Sequence, residues 1–240
     1  MNTPTATPAS TAAHAAAPTP RRARYVPAPL PRRLAKAGRA LAALARDPGQ
    51  LDRVFEIGEA LNAARIPERL DALEATPDGR RLLTERPVID SKHVDFDALA
   101  QLPDGTLGRE YVRFLRDNGI TPDVFQRPDI DDDRVAYVMQ RIRQTHDLWH
   151  VLTGYTPDVG GEILLQAFTL AQLRSPSSAA LVLVGFVRWG WRTPGFLGRL
   201  RVAYRRGKAT KPLATFVWEE HWHEAVSRMR EMLDCPPERA

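Results

Sequence analysis

Four side chains stand at a spacing that suits one divalent metal ion: His146, Asp147, His150 and Glu162. His146 and His150 lie about 40° apart around a helix axis at 100° per residue, so both rings leave the same face. The zinc-binding H-E-x-x-H helix uses this arrangement to let two imidazoles share an ion. Asp147 falls about 60° from His150 on the other side, where it either reaches the ion or steadies one of its ligands. Glu162 follows His150 by twelve residues, across a turn of Gly, Thr, Pro and Asp that lets a second helix fold back. Two imidazoles and two carboxylates suit zinc, and the same donors admit iron, manganese or magnesium. The plainer alternative is a pair of satisfied core histidines beside a helix-capping carboxylate.

The neighbouring residues favour the metal. His146 and His150 flank an apolar stripe of Val138, Met139, Ile142 and Trp149, which turns them inward or towards a cleft. Glu162 opens EILLQAFTLAQL, a helix apolar on nearly every side, where only Gln166 and Thr169 share its face. A carboxylate so placed is costly unless paired or bound to metal. Arg143, four residues before Asp147, is placed to bridge to it. Arg141 reads as an exposed helix arginine, with contact to a substrate carboxylate as the alternative. Tyr137 reads as core packing. His221 and His223 are two apart and face different sides of a helix, so they read as surface or packing residues. His14, His93 and Cys235 are assigned no chemistry, and no catalytic residue is singled out beyond the metal set.

The elements that position these residues are helices. Asp131 to Asp133 place negative charge at a helix N-terminus, apolar residues recur at helical spacing from Val135 to Leu152, and Gly154 supplies the stop. Further helical patterns cover about 34–47, 51–65, 77–86, 108–119, 162–173, 176–191, 195–206 and 216–233. LVLVGFV has the apolar character of a buried strand, yet nothing similar exists to pair with it. The expected fold is all-α, a single helical domain over residues 31–235. The first 30 residues carry six prolines and few large apolar groups, so they read as a disordered basic tail. Their Ala, Pro and Arg richness without acids also matches an organellar transit peptide, and they lack the plan of a secretory signal.

Charge and composition exclude other classes. The net charge is +5, but residues 1–46 hold eight Lys and Arg and no acid. Taking that +8 away leaves −3 for the rest, so the domain is not a basic nucleic-acid binder. No run approaches the ~18 apolar residues of a membrane span. Leu181 to Trp191 and the following TPGFLGRLRVAYRRGK join apolar residues to Arg199, Arg201, Arg205, Arg206 and Lys208. Such a basic amphipathic helix either lies on anionic lipid or is an ordinary helix with its apolar face in the core. Cys235 is the only cysteine, which excludes an intrachain disulfide and fits a reducing compartment.

The run HDLWHVLTGYTPDVGGE resembles the HDxxH-x11-E motif of the coenzyme Q biosynthesis family named for the fourth Coq protein. GRRLLTERPVI, LAQLPDGTLGREYVRFL, DDDRVAYVMQRIRQTHDLWH and GEILLQAF resemble family segments in family order, and PLATFVWEEHW is a weaker match. The likeness spans about residues 36–233. It implies an α-helical protein with zinc on His146, Asp147, His150 and Glu162 and a role in ubiquinone synthesis. The implied activity is oxidative decarboxylation of a polyprenylated 4-hydroxybenzoate, with the C1 carboxyl replaced by hydroxyl. The implied alternative is a non-catalytic, zinc-stabilised scaffold or isoprenoid carrier. Partners implied are the other ubiquinone-biosynthesis proteins and a membrane contacted peripherally; the sequence leaves open whether the chain forms a homodimer. The location would be the matrix side of the mitochondrial inner membrane, or the cytoplasm and cytoplasmic membrane of a bacterium. A metallohydrolase is the remaining rival, disfavoured because Asp147 replaces the glutamate base of the H-E-x-x-H pattern.

Overall fold

A computed structural model of the chain describes residues 25–47, 49–125 and 127–237. The expected disordered tail therefore lies, as far as residue 24, outside the described residues. Tyr25 already packs against one of the two core clusters.

The described residues fold into eleven α-helices joined by short turns and 3-10 segments. In chain order these are α1 (Leu30–Arg46), α2 (Leu51–Asn62), α3 (Ile66–Glu74), α4 (Pro77–Glu85), α5 (Phe96–Ala100), α6 (Leu107–Asp117), α7 (Asp133–Thr153), α8 (Val159–Leu173), α9 (Pro176–Arg188), α10 (Phe196–Ala209) and α11 (Val226–Met232). No strand occurs among them, and LVLVGFV is helical within α9. The all-α expectation holds.

Local chemistry sets several boundaries. Thr76 caps α4 by accepting the Gly79 N–H at 3.0 Å, and Pro77 occupies its first turn. Ser175 caps α9 in the same way, accepting the Ser178 N–H at 3.2 Å. Two short helices, α3 and α5, escaped the sequence reading. The first is entered through a 3-10 turn, Ala63–Arg65, with Pro67 in its opening turn.

One expected helix, 216–233, is broken in two. A 3-10 turn covers Trp218–His221, and α11 begins only at Val226. Between them the carbonyls of Trp222 and Glu224 accept the N–H groups of Gly108 (2.9 Å) and Leu107 (2.7 Å) at the start of α6. Val226 donates in return to Gly105 at 2.8 Å. Carbonyls engaged across the fold cannot also serve a continuous helix.

Helix α7 runs between both cores. Its C-terminal half buries Leu148, Trp149 and Leu152 with Leu164 and Phe168 of α8, Trp218 and Met229. Its N-terminal half buries Val135 and Val138 with Ile66, Leu70 and Leu73 of α3 and Leu82 of α4. On its outer side α8 carries α10, which sends Phe196, Leu200 and Ala203 into the first core. Gly207 permits that approach, since a Cβ there would sit 2.5 Å from the Phe168 carbonyl oxygen.

Candidate metal centre

Capping chemistry at two helix ends aims the site. Asp132 accepts the N–H groups of Arg134 and Val135 at 3.0 and 3.4 Å and starts α7. Gly154, at φ 80°, ends it by donating to the His150 carbonyl at 2.8 Å. The chain then reverses. Asp158 accepts the N–H groups of Gly160 and Gly161 at 2.8 and 3.0 Å and starts α8, which puts Glu162 in the first turn. Gly161 is required there, because a Cβ would lie 2.1 Å from the Thr156 carbonyl oxygen.

These ends bring His146, His150 and Glu162 together, with one ligand atom from each lying within 4.8 Å of the other two. Nε2 of His150 stands 3.1 Å from Glu162 Oε2, and Nε2 of His146 stands 3.4 Å from the same oxygen. Tetrahedral ligands roughly 2.0–2.1 Å from zinc would be about 3.3 Å apart, so this spacing fits an ion without rearrangement. Nδ1 of His150 contacts the Tyr155 carbonyl oxygen at 2.9 Å. A carbonyl only accepts, so Nδ1 carries a hydrogen and Nε2 is the nitrogen turned to the carboxylate. Two imidazole nitrogens and a carboxylate oxygen converging at this spacing are a donor set that fits a metal.

The electrostatics agree. Burial disfavours a charged imidazole at His146, but the Glu162 carboxylate outweighs it and raises the pKa to about 9. Burial would raise Glu162, yet His146 and then His150 hold its carboxyl well below the ordinary range. Its other oxygen accepts from Gln166 Nε2 at 2.8 Å, so the polar seam of α8 serves the site.

Asp147 stands outside that trio. It is 4% exposed, its Oδ2 has no hydrogen-bond partner, and burial raises its pKa against the opposing pull of His146 and His150. It faces the same cavity as the three others, a space of about 440 Å³. Phe55, Phe114, Phe125, Met139, Leu173 and Leu181 make much of the remaining wall apolar. Phe114 stacks on the His150 ring at 5.2 Å between centroids, a contact that nothing in the spacing of the sequence signals.

Both expectations for the flanking arginines are corrected. Arg143 does not bridge to Asp147; it pairs with Glu59 of α2 at 3.0 Å and lies 4.6 Å over the Phe55 ring. Arg141 is neither exposed nor on the metal cavity. It is 4% exposed and grips Glu219 with both terminal nitrogens, one at 2.8 Å, while also donating to the Phe216 carbonyl. Tyr137 is buried in the core, as expected. His221 stacks on Phe216 at 4.7 Å, a packing role, and His93 bonds Asp90 at 2.6 Å. Cys235 is fully buried.

The basic amphipathic segment is shared between core and surface. Phe196 and Leu200 are buried, whereas Leu183, Val187, Trp191 and Leu197 are exposed. Arg206 is 7% exposed and donates to the carbonyls of Thr153 and Pro236, so it does not belong to the outer basic face. Among the described residues no helix is long and apolar enough to cross a membrane.

Residues 24–238 match the family model described as coenzyme Q (ubiquinone) biosynthesis protein Coq4. The mitochondrial ubiquinone biosynthesis protein COQ4 of Coprinopsis cinerea is 36% identical over 188 residues, which is 77% of this chain and 65% of that protein. The chain thus spans just under two thirds of that relative's length. The mitochondrial COQ4 homologue of Xenopus tropicalis is 35% identical over 85% of this chain and 74% of its own length. For the human homologue the figures are 33%, 87% and 80%. A crystal structure of a candidate ubiquinone biosynthesis protein from Nostoc punctiforme superposes with a TM-score of 0.67 at 31% identity, covering 83% of this chain and 97% of that one. With this extent of sequence and fold in common, the chain belongs to the Coq4 family of coenzyme Q (ubiquinone) biosynthesis proteins.

Proposed function

We propose that this protein acts in ubiquinone biosynthesis as a metal-dependent oxidative decarboxylase of a polyprenylated 4-hydroxybenzoate. One observation carries the reading: His146, His150 and Glu162 form a three-residue ligand set on the wall of a largely apolar cavity. Three protein ligands leave a coordination position for substrate, the pattern of catalytic rather than structural zinc. Asp147 as a direct fourth ligand would close the site; its place outside the trio favours the open form.

The chemistry balances with dioxygen as the oxidant. C1 of the ring bonds to one oxygen atom, the C1–carboxyl bond breaks with loss of carbon dioxide, and the second oxygen atom leaves as water. The ring emerges as the quinone, and a two-electron reductant gives the hydroquinone. Zinc, or magnesium, would supply Lewis acidity for the substrate carboxylate or phenolate, and iron or manganese would add redox capacity. The chain's own residues do the rest. His146, His150 and Glu162 would hold the ion, the Tyr155 carbonyl and Gln166 orient His150 and Glu162, and the apolar wall would accept prenyl carbons while keeping water out.

The second reading is a non-catalytic scaffold or isoprenoid carrier, for which the same apolar cavity would hold the tail. Peripheral membrane contact belongs to both. The relatives' names are mitochondrial, and we place this contact at the inner membrane of that organelle, or at the cytoplasmic membrane of a bacterium. Incubation with a 4-hydroxy-3-methoxy-5-polyprenylbenzoate and oxygen, followed by mass spectrometry, separates the readings. Loss of the carboxyl with gain of oxygen, abolished in His150→Ala, is the expected result. Substrate retained unchanged on metal-loaded protein would leave the carrier.

A further inference from the structure

A second cavity, of about 290 Å³, lies behind Arg69, Ile142 and Leu173, the three residues that also face the metal cavity. Leu73, Leu82 and Val138 make its floor apolar. Arg69 is the anomaly. Its Nε and Nη2 are both buried and neither has a hydrogen-bond partner. Those two nitrogens form the side edge of the guanidinium, whose parallel N–H bonds match the two oxygens of a carboxylate or phosphate.

Nearby charges do not satisfy that edge. Glu68 is paired with Arg65 at 2.6 Å, and Arg141 is engaged by Glu219. Arg174, exposed at the end of α8, adds a further positive charge to the lining. Burial, followed by repulsion from Arg65, lowers the Arg69 pKa to about 10, which still leaves it a cation at neutral pH. Glu68 attracts Arg69 through space without bonding it, so two buried N–H donors stay unsatisfied, a cost that a partner arriving from solution would remove.

We propose that this second cavity binds a small apolar molecule bearing one carboxylate or phosphate, clasped by the Nε–Nη2 edge of Arg69. The volume lies near the lower end of small-molecule sites, roughly 300–1,000 Å³, and suits a ring-sized body rather than a long chain. Arg69 borders both cavities, and the ligand is assigned to the one that lacks His146, His150 and Glu162.

Calorimetry on the full chain with benzoate, phenyl phosphate and the neutral isostere benzamide tests this. One or both anions should bind, and the tighter of the two identifies the head group; benzamide should bind about tenfold more weakly or worse. Arg69→Gln should lose at least about tenfold in anion affinity, and Arg69→Lys, charged but without the two-point edge, should fall between. Ala214→Trp, which narrows this cavity alone, should abolish binding, and it carries the test if Arg69→Gln fails to fold. His150→Ala should bind as the parent does. Equal binding of benzamide, unaltered binding by Arg69→Gln or Ala214→Trp, loss in His150→Ala, or no anion binding at millimolar concentration would each overturn the proposal.

Discussion

His150 donates its Nδ1 hydrogen to the backbone carbonyl of Tyr155 at 2.9 Å, across the turn that ends α7. That single bond fixes the tautomer, turns Nε2 towards Glu162 and ties the ligand's orientation to the loop that starts α8. The site is thus assembled by a helix end as much as by a helix face.

Metal content should respond unequally to the four motif residues. His150→Ala and Glu162→Gln remove donors of the trio and should cut metal affinity by more than about 100-fold. Asp147→Asn should retain the ion within about tenfold and should raise the melting temperature, since a neutral amide replaces a buried carboxylate with an unpartnered oxygen. Metal analysis after dialysis against a weak chelator reads both. Loss of metal in Asp147→Asn equal to that in His150→Ala would make Asp147 a true ligand and close the site.

The pH dependence follows from His146. In metal-free protein its pKa is raised from 6.5 to about 9, so the Glu162 pairing stabilises the fold fully below about 6.5 and that contribution is lost as pH rises through about 9. A metal must displace the same proton. Uptake at neutral pH should therefore release protons, and apparent affinity should climb by up to about tenfold per pH unit towards pH 9. Titration in buffers of different ionisation enthalpy measures the release; an affinity flat between pH 6.5 and 9 would contradict the pairing.

Gly161→Ala should disturb the site from outside it. Its new Cβ would collide with the Thr156 backbone, forcing the start of α8 to move and Glu162 with it. We expect a loss of at least about 2 kcal/mol of stability together with weakened metal binding. Gly198→Ala, where a Cβ meets nothing within 4 Å, is the control and should be neutral in both thermal melts and metal analysis.

Membrane contact, if made by the exposed face of α9 and α10, should depend on Trp191 and Arg205 and not on Arg206. Trp191 is 60% exposed and Arg205 lies on the surface, whereas Arg206 is spent on two backbone carbonyls. Flotation with anionic liposomes should weaken in Trp191→Asp and Arg205→Glu. Reversing Arg206 should instead lower stability, and flotation indifferent to the first two changes would end the membrane reading.

What was legible in the sequence, and what was not, divides by range. Helices α6 to α10 were readable because caps, apolar period and stop signals all act within a few residues, as at Asp132 and Gly154. The 216–233 segment was misread because its carbonyls are claimed by α6, more than a hundred residues earlier in the chain. Arg141 and Arg143 were misplaced for the same reason: their partners, Glu219 and Glu59, come from remote helices.

By itself the sequence determined an all-α chain and the convergence of His146, His150 and Glu162, since two histidines four apart and a glutamate beyond a capped reversal leave little freedom to local geometry. Tertiary structure alone decided which carboxylate joins the trio, which faces the cavity unpartnered, and that Phe55, Phe114 and Phe125 wall the space around them. Those outcomes depend on how α2, α6, α7 and α8 pack, and packing is set by shape and burial over the whole molecule rather than by spacing along one helix.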